Sequence, residues 1–128
     1  MIRSTRTTID GQKFDSKSEA ARWCELRLME KAGQVRNIRR QVVYPLAMGN
    51  TPVLIRSERY PKGRRCKYTA DFVYDELQHG EWVQVVEDHK GLHTEASRLR
   101  IAVAEVIYNF RVQYTGPQAM RSRRRPAA

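Results

Sequence analysis

Asp71, Asp88 and Lys90 are the residues of this chain whose types and spacing can do chemistry together. Successive side chains of a β-strand go to opposite faces, so Asp88 and Lys90 share one face and His89 points to the other. Residues 68–74 also alternate, with Ala70, Phe72 and Tyr74 on one face and Thr69, Asp71 and Val73 on the other. A turn around Gln78, His79 and Gly80 would pair the two strands and let Asp71 lie beside Asp88. Two carboxylates and an amine on neighbouring strands make a hard-cation site next to a cationic group, the equipment for metal-assisted hydrolysis of a phosphodiester. An ordinary same-face ion pair is the plainer use of Asp88 and Lys90. Glu87 offers a second acidic register, but only Asp88 shares the face of Lys90. Glu87 falls on the opposite face, under a helix, where an arginine can pair with it.

The elements that must position these residues can be read from the same chain. With 128 residues it is expected to form one domain with one core, over residues 1–116, followed by a basic disordered tail over 117–128. Residues 1–13 read as an arm or a short leading strand. Ser16-Lys17-Ser18-Glu19 opens a run without Gly or Pro, a capping-box start that predicts a helix over about 16–32 with Gly33 as its stop. Ala20, Ala21, Cys24, Leu28 and Ala32 are its expected core stripe, flanked by Glu19, Trp23, Leu26 and Glu30. In this reading Glu19 is the glutamate of the capping box. A strand is expected over 38–46, with Pro45 at its limit, and a short extra strand at 53–55. Thr94 caps a second helix over 95–108 with Leu99, Ala102, Val103 and Val106 toward the sheet, Asn109 stops it, and residues 110–115 alternate as a last strand. The order helix, strand, strand, strand, helix, strand, with the second helix as a crossover, predicts an α/β fold: a small mixed β-sheet flanked by helices.

Charge points to the partner. Lys and Arg number 24 against 14 Asp and Glu, a net +10, which favours a polyanion. Arg56, Arg59, Lys62, Arg64, Arg65 and Lys67 form a basic run leading into the Asp71 strand, and Arg121, Arg123, Arg124 and Arg125 read as a phosphate-seeking arm. A solvated charged face is the bland reading of the basic run. No stretch is apolar enough for a membrane span or a signal core, so the expected setting is soluble and cytoplasmic. Cys24 and Cys66 read as reduced packing residues. His89 and His93 are four apart, but Gly91 breaks the segment, so a helical zinc pair lacks a scaffold.

The words Phe14-Asp15-Ser16-Lys17-Ser18-Glu19, Tyr68-Thr69-Ala70-Asp71-Phe72 and Val86-Glu87-Asp88-His89-Lys90-Gly91, in this order, resemble the PD-(D/E)XK nuclease superfamily, in its small phage-type endonuclease branch. The resemblance covers about residues 10–110, and Ala70 stands where that family has its proline. It implies a restriction-endonuclease-like fold and a metal-dependent DNA endonuclease, with branched or recombination intermediates among the substrates such small enzymes take and a bacterial host cell as the setting. It further implies Mg²⁺, with Mn²⁺ as a substitute, held by Asp71, Asp88 and the His89 backbone carbonyl. Glu19 would join directly or through a water, and Lys90 would position the attacking water. DNA would be gripped through backbone phosphates, and a homodimer is compatible with this scheme. The alternative from a different class is a catalytically inactive nucleic-acid-binding protein on a nuclease scaffold.

Overall fold

The computed structural model describes residues 7–9, 11–89 and 93–116. Thr7–Ile9 (β1) and Gln12–Phe14 (β2) form a leading hairpin. The Ser16 hydroxyl accepts from the Glu19 amide at 3.1 Å and starts the helix Lys17–Lys31 (α1), which closes before Gly33 in a left-handed conformation. Val35–Pro45 (β3) follows, then two small hairpins: Ala47–Met48 (β4) with Thr51–Pro52 (β5), and Leu54–Ile55 (β6) with Arg64–Arg65 (β7). Lys67–Gln78 (β8) and Glu81–Asp88 (β9) are joined through His79 and Gly80, both at positive φ, as a two-residue hairpin turn requires. The helix Glu95–Tyr108 (α2) runs from Thr94, whose hydroxyl accepts from the Ser97 amide at 3.1 Å, to Asn109, left-handed at φ 57°. Val112–Tyr114 (β10) ends the described fold.

The main sheet has the order β10-β9-β8-β3. β8 is antiparallel to both β3 and β9, and β10 is parallel to β9 because α2 carries the chain back. One helix lies on each face. Phe14, Ala20, Trp23 and Leu26 pack on Phe72, Tyr74 and Val85 on the first face, and Ile101 and Ala104 pack on Tyr68, Ala70, Val73, Val86 and Val112 on the second. This is the predicted α/β arrangement of a mixed sheet between two helices, with small hairpins added. No described helix is long and apolar enough to cross a membrane.

Both helices are rotated from the predicted faces, which hold only for Ala20 in α1 and Val103 in α2. In α1 the buried residues are Glu19, Ala20, Trp23 and Leu26, while Ala21, Cys24 and Ala32 are exposed and Leu28 is 66 % exposed. Trp23 and Leu26 hide far more apolar surface than the alanine stripe can, so burial favours their side. In α2, Ile101 and Ala104 are buried, whereas Leu99 is 63 % and Val106 83 % exposed and Ala102 faces outward. Cys66 is a buried free thiol, as expected, but Cys24 is not part of the core.

Candidate functional site

The site is organised by an irregularity in β8. Tyr68 and Ala70 belong to the α2 face, yet Phe72 and Tyr74 belong to the α1 face and Val73 to the α2 face, so the alternation slips at Asp71. The neighbouring strand is irregular at the same place. Arg40 is paired with Phe72 and Val42 with Ala70, which puts Gln41 across from Asp71, and Gln41 has φ 51°. A left-handed non-glycine residue costs on the order of 1–3 kcal/mol and persists where its surroundings fix it. Here the Gln41 side chain bridges two acids: Nε2 donates to Glu19 Oε1 at 3.1 Å and to Asp71 Oδ1 at 3.3 Å.

Asp71 follows Ala70 of the α2 face and so goes to the α1 side, where it joins Glu19 as a pair of largely buried carboxylates; the slip brings Phe72 to that side as well. Burial, then the charge of Asp71, then that of Asp15, push the Glu19 carboxyl up to about 7, against the smaller opposing pulls of Arg40 and Gln41. Arg40 lies with its guanidinium 3.9 Å from the Phe14 ring, donates to Gln12 Oε1 and the Lys13 carbonyl, and comes within 3.9 Å of Glu19 Oε1. On its other oxygen, Asp71 accepts the His89 amide at 2.7 Å, which ties it to the end of β9.

β9 keeps regular alternation, so Asp88 goes to the α2 face. It is fully buried; Tyr68 Oη donates to its Oδ2 at 3.0 Å, and His93 Nε2 lies 3.4 Å from its Oδ1. Burial first, then the charge of Asp88 and its hydrogen bond, then Asp71, push the Tyr68 hydroxyl well above its ordinary range. Tyr68 is therefore a fixed donor standing in the field of both aspartates. Asp71 and Asp88 are neighbours along the backbone; Gln41 and the His89 amide donate to Asp71, and Tyr68 donates to Asp88 with His93 beside it. This corrects the expectation that Val73 and Asp71 share a face.

Glu87 has the role that its face implied. Its Oε1 accepts from Tyr74 Oη at 2.7 Å and from Arg22 NH2 at 2.9 Å, and its Oε2 accepts from Arg22 Nε at 2.9 Å and Thr115 Oγ1 at 2.8 Å. A carboxylate has about four acceptor sites, and these four donors fill them. Glu87 thus joins α1 to β8, β9 and the end of β10, and offers nothing to a metal. His89, as expected, points to the α1 side, with Nε2 2.7 Å from Ser18 Oγ and Nδ1 2.8 Å from Thr115 Oγ1. Burial, with Arg22 adding to it, lowers the affinity of that imidazole for a second proton, although Glu87 and Asp71 oppose the effect.

Of the residues singled out in the sequence, Glu19 and Asp71 are brought together, and Asp88 lies next to Asp71 at the end of β9. Lys90 and the tail arginines Arg121, Arg123, Arg124 and Arg125 lie outside the described residues. Arg56, Arg59, Lys62, Arg64, Arg65 and Lys67 are all exposed, on or next to the β6–β7 hairpin. Gln41, Tyr68 and Arg40 were missed, and His93 was weighed only as a zinc partner of His89. Of the three, Tyr68 alone had a signal, its place in the word that contains Asp71.

Mg²⁺ asks a protein for one or two carboxylates, waters and substrate phosphate filling the rest. Glu19 and Asp71 fit that need, since their oxygens share one donor and their mutual repulsion is what a cation would relieve. Among the described residues no three His, Cys, Asp or Glu side chains form a group that could hold a metal ion.

A family model described as "Protein of unknown function (DUF1064)" matches residues 2–119. No curated protein and no solved structure matches the chain.

Proposed function

We propose that this chain, which belongs to the DUF1064 family, is a metal-dependent DNA endonuclease that hydrolyses phosphodiester bonds. The observation that carries the reading is the Glu19–Asp71 carboxylate pair, held on one Gln41 amide where two strands kink together. Nothing in packing calls for two largely buried acids side by side, and stored strain of this kind is a mark of functional sites. A bound Mg²⁺ or Mn²⁺ would polarise the phosphoryl oxygen and lower the pKa of a water. Asp71 and Glu19 would hold that ion, Glu19 directly or through a water. Asp88, anchored by Tyr68, stays next to them at the end of β9, two residues before Lys90 in the chain. Lys90 orients the attacking water and offsets the charge that develops on the phosphate as the P–O bond to the leaving sugar breaks. The exposed arginines and lysines of residues 56–67 grip backbone phosphates, in keeping with the net charge of +10.

One observation favours the second reading, a nucleic-acid-binding protein without catalysis: Asp88 is fully buried and accepts a hydrogen bond from Tyr68. Labelled linear, flapped and four-way DNA, incubated with Mg²⁺, Mn²⁺ or EDTA, separates the two. The endonuclease reading expects metal-dependent cutting that Asp71→Asn abolishes while DNA binding persists. Binding with no cutting of any of the three DNAs would establish the second reading.

A further inference from the structure

The pairing of β8 with β9 stops at Phe72 and Glu87, so residues 67–70 of β8 continue past the end of β9. Their pairing with β3 goes on along the other edge, from Ala70 with Val42 to Lys67 with Pro45. Beside this stretch lies a cleft of about 670 Å³, bounded by the β6–β7 hairpin and the first turns of α2. Four cations line it: Arg64, Arg65 and Lys67 before β8 or at its start, and Arg100 from α2. The described lining contains no carboxylate. Arg100 is half-buried, unlike the exposed Arg98, so α2 presents it to the cleft rather than to bulk water. Between the cations Val43, Pro45 and Ile55 give the lining an apolar part, beside the hydroxyls of Thr69 and Ser97. Tyr68 completes the wall and donates its hydroxyl to Asp88, so the cleft ends at the candidate site.

We propose that this cleft binds single-stranded DNA, and that an unpaired strand is the part of the substrate that the protein recognises. A duplex shows its phosphates outward and keeps its bases stacked inside, so it would use the cations and leave the apolar wall uncovered. An unpaired strand offers phosphates to Arg64, Arg65, Lys67 and Arg100, and base faces to Val43, Pro45 and Ile55. The tip of the hairpin carries the same chemistry, since exposed Tyr60 lies under the guanidinium groups of both Arg59 and Arg64, each 5.6 Å from the ring centre. The hairpin holds its shape through Gly63, at φ 100°, where an added Cβ would come within 2.8 Å of Leu54 Cβ. That the strand is DNA rests on the endonuclease reading; the shape and charge of the cleft do not.

Fluorescence anisotropy in EDTA, with a 20-mer of oligo-dT against a duplex of equal length, tests the proposal without any cleavage. The parent should bind oligo-dT more tightly than duplex. Arg100→Ala and Arg65→Ala should each weaken oligo-dT binding several-fold and flatten its salt dependence by about 0.7 in the slope of log affinity against log salt. Arg100→Lys should keep most of the affinity, and Arg36→Ala, which lies on the Trp82 ring far from the cleft lining, should change nothing. Thermal unfolding confirms that each variant is folded, and Arg65→Ala, at an exposed site, keeps the test alive should Arg100→Ala not fold. Unchanged oligo-dT binding in the folded cleft variants, or a duplex bound as tightly and lost in parallel, overturns the proposal. If the protein never cuts DNA but the cleft variants lose oligo-dT, the endonuclease reading fails and the cleft stands; if it cuts while they bind as the parent does, the reverse holds.

Discussion

Replacing Glu19 by glutamine should make the protein less sensitive to pH and more stable in mild alkali. The carboxyl of Glu19 rises from 4.5 to about 7 on folding, chiefly by burial and by the charge of Asp71. The folded chain therefore holds this proton more tightly than the unfolded chain between those values. The contribution to stability is complete below about pH 4.5 and is lost as pH rises through about 7. At 1.36 kcal/mol per pH unit, the gap between 4.5 and about 7 amounts to roughly 3 kcal/mol. Glutamine keeps the size of the side chain and an acceptor for Gln41 Nε2, but has no proton to lose. It gives up the attraction to Arg40, which is weaker than the repulsion by Asp71. Urea unfolding of parent and Glu19→Gln in EDTA at pH 5, 6, 7 and 8 measures the effect. Subtracting the two curves removes the histidines and the other carboxylates. The parent should lose on the order of 1–3 kcal/mol more than the variant between pH 5 and 8, with the variant the more stable at pH 8. Parallel curves would refute the argument that Asp71 and burial hold this proton. Under the proposed function, Mg²⁺ at pH 8 should stabilise the parent and the variant much less, because a cation bound there would relieve a repulsion the variant lacks.

Arg22→Ala leaves the fully buried Glu87 carboxylate without its cation beneath α1 and should cost roughly 3–5 kcal/mol in chemical denaturation, whereas Glu87→Ala should cost less because Arg22 keeps Glu25; a loss below about 1 kcal/mol for Arg22→Ala would show that the pair is not the tie between α1 and the sheet. Under the proposed function, Lys90→Ala should bind Mg²⁺ and DNA as the parent does but cleave about 10²–10³-fold more slowly in single-turnover measurements, and a rate within about threefold of the parent would exclude its role in the chemistry. Deleting residues 117–128 removes four arginines and should weaken binding to all DNA sequences alike, lowering the duplex salt slope by about 0.9 for each phosphate that the tail neutralises; an unchanged slope would mean that the tail neutralises none.

What the sequence determined by itself was local. Ser16 and Thr94 open the helices because their side chains satisfy the first amides, and Asn109 ends α2 because it tolerates a left-handed backbone. The position of Glu87 opposite Asp88 on a regular strand implied an arginine partner, and Arg22 is that partner. The mixed sheet followed from the order of elements. Three things were decided only by tertiary structure. α1 has apolar residues on more than one side, and its inward face was settled by Trp23 and Leu26 filling the core while Arg22 reached Glu87 and Glu19 reached Gln41. α2 keeps Leu99 and Val106 outside because Ile101 and Ala104, at a different phase, meet the sheet. The bridge between Glu19 and Asp71 depends on Gln41, whose left-handed backbone on β3 lies across from the slip in β8. Strand periodicity assumes regular pleating, and a kink shared by two strands far apart in sequence leaves no mark in the period of either; only when they lie side by side does the change of face exist.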